Sequence, residues 1–326
     1  MTARDQTGQA TLPGACPLCG SAAATPAIGG TDRLFAMTTH RFELIRCRGC
    51  GLLRQSPMPS ADEIASFYPE TYWFAADGTT AGRLEEAYRR AVLRDHVRFV
   101  RAALERVDCR APVLDVGCGG GLFLRMIAEG GRKVVGLDRS AIAARVALRV
   151  QGVPSVSSML DAAPFADASF GAITMFHVLE HLADPAAYVR AAHRLLKPGG
   201  RLVVQVPNID SFQSRLFGSR WSGLELPRHL VGFGVRALRR LLEQEHFEVL
   251  RTKHFSLRDN PAGFATSLWP SLDPTSRRAR QRDRSPGSRL AKDLVYLGLT
   301  ALAVPFAVFE AACRAGSSVM MDSVRR

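Results

Sequence analysis

From Pro112 onward, short apolar runs alternate with longer stretches in which apolar positions recur every three or four residues. VLDV, running into glycines, predicts a buried strand, and LFLRMIAEG a helix closed by Gly130 and Gly131. KVVGLD reads as a second strand and SAIAARVALRV as a second helix with Ser140 at its N-cap. GAITMF predicts a strand that runs into the loop HVLEHL. DPAAYVRAAHRLLKPGG predicts a helix with Asp184 as cap, Pro185 in its first turn and a glycine pair after it. RLVVQVPN gives a further strand and VRALRRLLEQEHF a further helix. EVLRTKHFSL and the terminal SSVMMDSVRR are expected to close the sheet as an antiparallel pair. Strands alternating with helices at this spacing predict an α/β fold built on a doubly wound sheet.

The region before Pro112 has a different texture. CPLCG and RCRGCG form two Cys-x-x-Cys knuckles, with short loop and strand signals between them. PMPSADEIASFYPETYWF then predicts a proline-punctuated helix and an aromatic cluster of Phe67, Tyr68, Tyr72 and Trp73. Leu84, Tyr88, Ala91, Val92, Phe99, Val100, Ala103 and Leu104 lie at helical spacing, predicting one long amphipathic helix. The expected organisation is a small ribbon over 1–56, a linker with the long helix over 57–108, an α/β core over 109–258, a helical insertion over 259–315 and a terminal core strand over 316–326.

Charge changes the picture at two places. The net charge of +13 at pH 7 favours an anionic partner, whether nucleic acid, an anionic membrane surface or a phosphorylated substrate. Seven basic residues and one acid fall between Arg277 and Lys292, and Leu294 to Phe309 follow without a charge. That apolar run is shorter than the roughly 20 residues needed to span a bilayer. Residues 277–313 therefore admit two readings: a helix packed on the protein's own core, or a peripheral contact with an anionic leaflet. The opening residues lack an apolar segment of signal-peptide length, so a cytoplasmic protein, with or without peripheral attachment to the membrane, is expected.

Seven cysteines, four of them in the knuckles, fit metal binding in a reducing compartment better than a disulfide framework. Cys16, Cys19, Cys47 and Cys50, in two pairs separated by 27 residues, predict a closed tetrahedral Zn2+ site. Four thiolates leave the ion no open position, so its role is structural.

VLDVGCGGGLFL places Gly117, Gly119, Gly120 and Gly121 between a strand and a helix, where backbone approaches a ligand closely. Asp138, 21 residues after Gly117, is positioned to accept ribose hydroxyls. The dinucleotide pattern requires a small residue where Leu122 stands. Asp115, two residues before the first glycine, suits a cofactor with an ammonium group, directly or through water. These are the demands of S-adenosylmethionine. The set LDVGCGGG, GLD, SFGAITMFHVLEHLADP and LLKPGGRLVVQVPN, spanning 112–208, resembles the class I S-adenosylmethionine-dependent methyltransferases in order and spacing. Gly171 departs from the aspartate usual in that family, and the adenine-contacting acid falls on Asp161, with Met159 and Leu160 as apolar alternatives.

The resemblance implies that HVLEHL, with His177 and His181, lines the space between cofactor and acceptor. Its H-x-x-x-H spacing is not a metalloprotease signature, because Glu180 adjoins the second histidine rather than the first. WSGLELPRHLVGF follows the next strand and presents Glu225, Arg228 and His229 near the site mouth. Transfer to oxygen or carbon needs a base, which makes His229 the candidate, oriented by Glu225. The knuckles, aromatic linker, LEH loop and histidine loop together resemble zinc-ribbon methyltransferases of deoxysugar and polysaccharide gene clusters. That resemblance implies a small-molecule acceptor, sugar-linked through a nucleotide or lipid. Two catalytic alternatives stand: a zinc-ribbon ribosomal RNA methyltransferase and a quinone-type O-methyltransferase. A third is a non-catalytic adaptor. Nucleic acid is disfavoured because the ribbon segment 16–50 carries only Arg33, Arg41, Arg46 and Arg48 against Asp32 and Glu43.

Overall fold

The structure, a computed structural model, describes residues 14–68, 80–108, 110–280 and 286–326. Tyr72, Trp73 and Cys109 lie outside the described residues, as does the side chain of Leu84. Three antiparallel strands follow the first knuckle: β1 (Ala24–Thr31), β2 (Arg41–Cys47) and β3 (Leu53–Gln55). Helix α1 (Ala61–Ser66) begins with a capping box, in which the Ser60 hydroxyl accepts from the Glu63 N–H and the Glu63 carboxylate accepts from the Ser60 N–H. Helix α2 (Thr80–Leu104) crosses to the core.

The α2 stripe differs from the expected one. Leu93, Val97, Val100, Ala103 and Leu104 are buried, whereas Tyr88 and Ala91 are exposed. The helix docks by its C-terminal half, where these side chains meet Phe123, Leu124 and Ile127, so the apolar positions of its first turns are left off the core.

Then come β4 (Val113–Val116), α3 (Leu122–Ala128), β5 (Val134–Asp138), α4 (Ala141–Gln151), β6 (Ser155–Ser157) and β7 (Phe170–Phe176). After them follow α5 (Pro185–Leu195), β8 (Leu196–Pro207), α6 (Phe212–Phe217), β9 (Val231–Gly232), α7 (Val235–Gln244) and β10 (Phe247–Lys253). Helices α8 (Asn260–Leu268), α9 (Pro274–Ala279) and α10 (Pro286–Ala312) precede the last strand, β11 (Ser318–Arg325).

The main sheet has the order β10-β11-β8-β7-β4-β5-β6, parallel except for β11, which runs antiparallel between β8 and β10. This is the doubly wound α/β sheet that the alternating pattern predicts. Helices α2 and α3 pack on one face and α5 and α7 on the other, giving two apolar layers. Gly171 sits where space is tight: an added Cβ would lie 2.6 Å from Val107 and 2.7 Å from Ala111. Close packing, rather than ligand chemistry, accounts for glycine there.

The second sheet, β1-β2-β3-β9, crosses the expected ribbon boundary. Its last strand comes from the loop after β8, with Arg54 paired to Val231 and Leu53 to Gly232. The ribbon and the loop carrying His229 are thus parts of one sheet.

Candidate active site and metal centre

The glycine turn lies at the carboxyl edge of β4. Gly117, Gly119 and Gly121 have φ of 74°, 52° and 80°, a region that favours glycine. Asp138, ending β5, accepts from the Gly119 N–H at 2.9 Å and the Ser140 N–H at 2.8 Å, fixing the turn against the second strand. Asp115 is buried, and the Thr174 hydroxyl donates to it at 2.5 Å. Burial pushes its carboxyl up to about 7; the Thr174 bond opposes this and the Asp138 carboxyl adds to it. A cation beside Asp115 would restore its charge. The glycine turn, this buried acid and Asp138 at the end of the second core strand together fit S-adenosylmethionine, which carries an ammonium and a ribose.

These groups line one cavity of about 1680 Å³, as do His177, His181, Glu225 and His229. Asp161 does not. Its carboxylate is exposed and accepts from the Ala162 N–H at 3.1 Å, while Ser158, Met159 and Leu160 line the wall. The cofactor assignment of Asp161 is corrected accordingly: the turn after β6 points that side chain to solvent and turns its apolar neighbours inward.

His177 follows β7 with a φ of 57°, unusual for a residue with a side chain. Its ring lies between Glu180, 3.0 Å from Nδ1, and Asp259, 3.5 Å from Nε2. Burial disfavours the charged ring, but Asp259 and Glu180 together hold His177 up at about 10. Asp259 had no signal in the sequence, since it lies 82 residues away at the start of the insertion.

His181 and His229 meet edge to face, with ring centroids 4.6 Å apart. His229 Nδ1 donates to the Gly223 carbonyl at 2.9 Å, which leaves Nε2 as a proton acceptor. His181 Nδ1 lies 3.1 Å from both the Arg228 carbonyl and the Tyr68 hydroxyl. Burial, together with the neighbouring His229, pulls His181 down to about 4, so it is neutral at pH 7. The Glu225 carboxylate is 3.8 Å from His229 Nε2, outside hydrogen-bond range, and accepts instead from Arg228 Nε at 3.1 Å. The orienting role expected of Glu225 therefore passes to the Gly223 carbonyl.

The loop itself is held by the ribbon. Arg228, fully buried, forks onto Asp32 at 2.8 and 3.2 Å, and its guanidinium lies 4.3 Å from the Phe35 ring centroid. The Gln55 amide donates to the Pro227 carbonyl at 2.7 Å and to the His229 carbonyl at 2.8 Å. Sequence reasoning missed Asp32 and Gln55, for nothing near them in the chain marks a partner more than 170 residues away. The linker contributes too: Tyr68 lies under Arg139, which follows Asp138, and beside His181.

In the knuckles, Cys16 and Cys50 Sγ are 3.5 Å apart, Cys19 and Cys47 Sγ are 3.5 Å apart, and all four lie within 4.8 Å of one another. A zinc ion with bonds of about 2.3 Å holds tetrahedral sulfurs roughly 3.8 Å apart, so the cluster fits the ion. The two knuckles share one turn: Gly20 N–H donates to the Cys16 carbonyl and Gly51 N–H to the Cys47 carbonyl, both glycines at positive φ.

Known proteins bear on this geometry. A methyltransferase-domain family profile matches residues 85–252, just over half of the chain. A ubiquinone biosynthesis O-methyltransferase from Xanthomonas oryzae is 38% identical over 139 residues, 40% of this chain and 57% of the relative. The chain thus spans little more than half the length of that relative. A candidate S-adenosylmethionine-dependent methyltransferase from Mycolicibacterium smegmatis is 32% identical over 194 residues, 59% of this chain and 66% of the relative. Among solved structures, a candidate sarcosine dimethylglycine methyltransferase from Galdieria sulphuraria shares the fold, with a TM-score of 0.50 and 16% identity over 74% of this chain and 87% of its own. With the sheet order and glycine turn in place, the chain belongs to the methyltransferase-domain family, among the class I S-adenosylmethionine-dependent methyltransferases.

Proposed function

We propose that this chain methylates an oxygen or acidic carbon of an amphipathic small molecule, a lipid- or nucleotide-linked sugar of polysaccharide or secondary-metabolite biosynthesis. One observation carries the reading: a single cavity joins the glycine turn to the His181–His229 pair. At about 1680 Å³ it exceeds the roughly 300–1,000 Å³ usual for one ligand, leaving space for an acceptor beside a cofactor. S-adenosylmethionine, when bound, supplies an electrophilic methyl group. Asp138 would hold its ribose, Asp115 its ammonium, and the backbone of Gly117, Gly119 and Gly121 its close approach, with His177 closing the floor.

On the acceptor side, His229 Nε2 takes the proton as the acceptor's nucleophilic atom reacts. Neutral His181 offers its other ring nitrogen to an acceptor hydroxyl. Glu225 neutralises Arg228 and so keeps the loop closed over the site. The four cysteines hold zinc as a structural ion, and the ribbon serves as a brace. Of the ribbon arginines, Arg33 donates to the Arg220 carbonyl, Arg41 pairs with Glu43 at 3.2 Å and Arg46 with Asp210 at 3.5 Å. Those contacts, internal to the protein, weigh against an RNA-reading ribbon.

A quinol acceptor is the second reading, favoured by identity to the ubiquinone biosynthesis O-methyltransferase. His229 would then take a phenolic proton. Both readings fit a cytoplasmic protein at the inner membrane face. The deciding experiment is a labelled-methyl screen over polyprenyl-linked sugars, nucleotide sugars, quinol precursors and RNA. With the true acceptor, His229→Ala should lower turnover about 10²- to 10⁴-fold and leave cofactor affinity unchanged. Full activity in that variant removes the base assignment, and label found only in RNA removes the proposal.

A further inference from the structure

Helix α10 has two faces of opposite character. Tyr296, Thr300, Ala303, Ala307 and Glu310, spaced by four and three, form the inner stripe. Ala303, Ala307 and Glu310 are buried, and the Tyr296 hydroxyl lies 3.1 Å from Thr266 of α8. Glu310 accepts from Gln213 at 2.8 Å, from the Ser317 N–H at 3.1 Å and from Asn260 at 3.3 Å. These bonds fasten the middle and the C-terminal end of the helix to the core.

The outer face is apolar and open. Leu290, Leu294, Val295, Leu297, Leu302, Val308 and Phe309 are exposed, Leu302 to 78%. Seven of the eighteen exposed large apolar side chains among the described residues thus lie on one helix. The stretch Gly287–Ala312 has a mean hydropathy of 1.8 in its most apolar window, of which only 22% is buried. An apolar surface of this extent calls for a partner.

Charge identifies the partner. Between Leu294 and Phe309 there is no charged residue, whereas 277–293 carries seven basic residues and two acids. Arg277 is buried against Asp293 and Arg278 pairs with Glu85 at 3.3 Å, while Arg289 is exposed at the start of the helix. Helices α8 and α10 run antiparallel, with Asn260 beside Glu310 and Thr266 beside Tyr296. That direction brings exposed Leu268 and Trp269, at the end of α8, to the basic end of the outer face. A cationic end with an interfacial tryptophan, continuing into an apolar face, matches anionic headgroups over acyl chains. The core bonds of the inner stripe mean that the helix lies on the bilayer rather than crossing it. Leu290, Asp293, Tyr296 and Leu297 of the same helix also line the cavity.

We propose that the outer face of α10, with Trp269 and the basic segment at its end, docks on an anionic lipid surface and opens the cavity to membrane-borne acceptors. The test is flotation of the full chain with phosphatidylcholine vesicles, with and without phosphatidylglycerol. Cofactor and acceptor are left out, so the outcome is independent of the methyl-transfer reading. The chain should float with the anionic vesicles, less so at high salt. Leu294→Asp/Leu302→Asp, at positions outside the cavity lining, should weaken that binding at least about tenfold while circular dichroism and S-adenosylmethionine affinity stay unchanged. A chain that stays unbound with both vesicles, or a variant that floats like the parent, overturns the proposal. So does a dimer by light scattering that the double variant dissolves in the absence of vesicle binding.

Discussion

The two sides of the cavity are built in opposite ways. The cofactor side comes from one continuous stretch, 112–208, in which strand, glycine turn, helix and acid follow in order. Its acids bond within that stretch: Asp138 reaches Gly119 and Ser140, and Asp115 accepts from Thr174. The acceptor side is assembled from distant pieces, with Asp32 and Gln55 of the ribbon, Tyr68 of the linker, His181 after β7, and 223–229 beyond β8. The cofactor side can therefore form without the ribbon, whereas His229 is held by it. Acceptor chemistry should depend on the ribbon far more than cofactor binding does.

Removing the proposed zinc puts most strain on that contrast. Structural zinc contributes roughly 10–16 kcal/mol of apparent binding free energy in small domains, so a strong chelator should unfold the knuckles. Methyl transfer to the acceptor should then vanish, while the S-adenosylmethionine dissociation constant measured by calorimetry stays within about threefold. Equal loss of both would mean that the two sides fold as one unit.

A smaller effect is expected at the buried pair. Asp32→Ala removes the bidentate carboxylate and leaves the buried Arg228 guanidinium with Glu225 alone, costing about 3 kcal/mol of stability in denaturant unfolding. Asp32→Leu/Arg228→Met removes both charges and should be markedly less destabilised, yet turnover should stay low because the loop loses its fork. If the double variant is as unstable as the single one, the ion pair is not what holds the loop.

The smallest effect separates the cofactor side from the acceptor side by pH. Burial raises Asp115 to about 7. Its neutral form is favoured there, so its contribution to stability is present below the ordinary carboxylate range and is lost as pH rises through about 7. A cationic ligand favours the ionised form. S-adenosylmethionine affinity should therefore rise with pH up to about 7, by at most about tenfold per unit. Calorimetry at pH 6 in buffers of different ionisation enthalpy should register close to one proton released. A flat profile, or one that Asp115→Asn leaves unchanged, removes Asp115 from the cation's neighbourhood.

Much of this protein was legible before folding because the information is local. Alternating runs set the sheet, glycines at 117, 119 and 121 mark positive φ, and paired Cys-x-x-Cys knuckles mark a metal clip. Asp161 misled because sequence spacing does not say whether a turn residue faces the cavity or solvent. The two knuckles, CPLCG and RCRGCG, announced a brace, but not what it braces. Tertiary structure alone decided that β9 joins the ribbon sheet, that Arg228 finds Asp32, that Gly223 rather than Glu225 orients His229, and that Asp259 flanks His177. The physical reason is range: a turn or knuckle is dictated by neighbours in the chain, while a buried charge or imidazole is satisfied by whatever the fold carries to within about 3 Å of it.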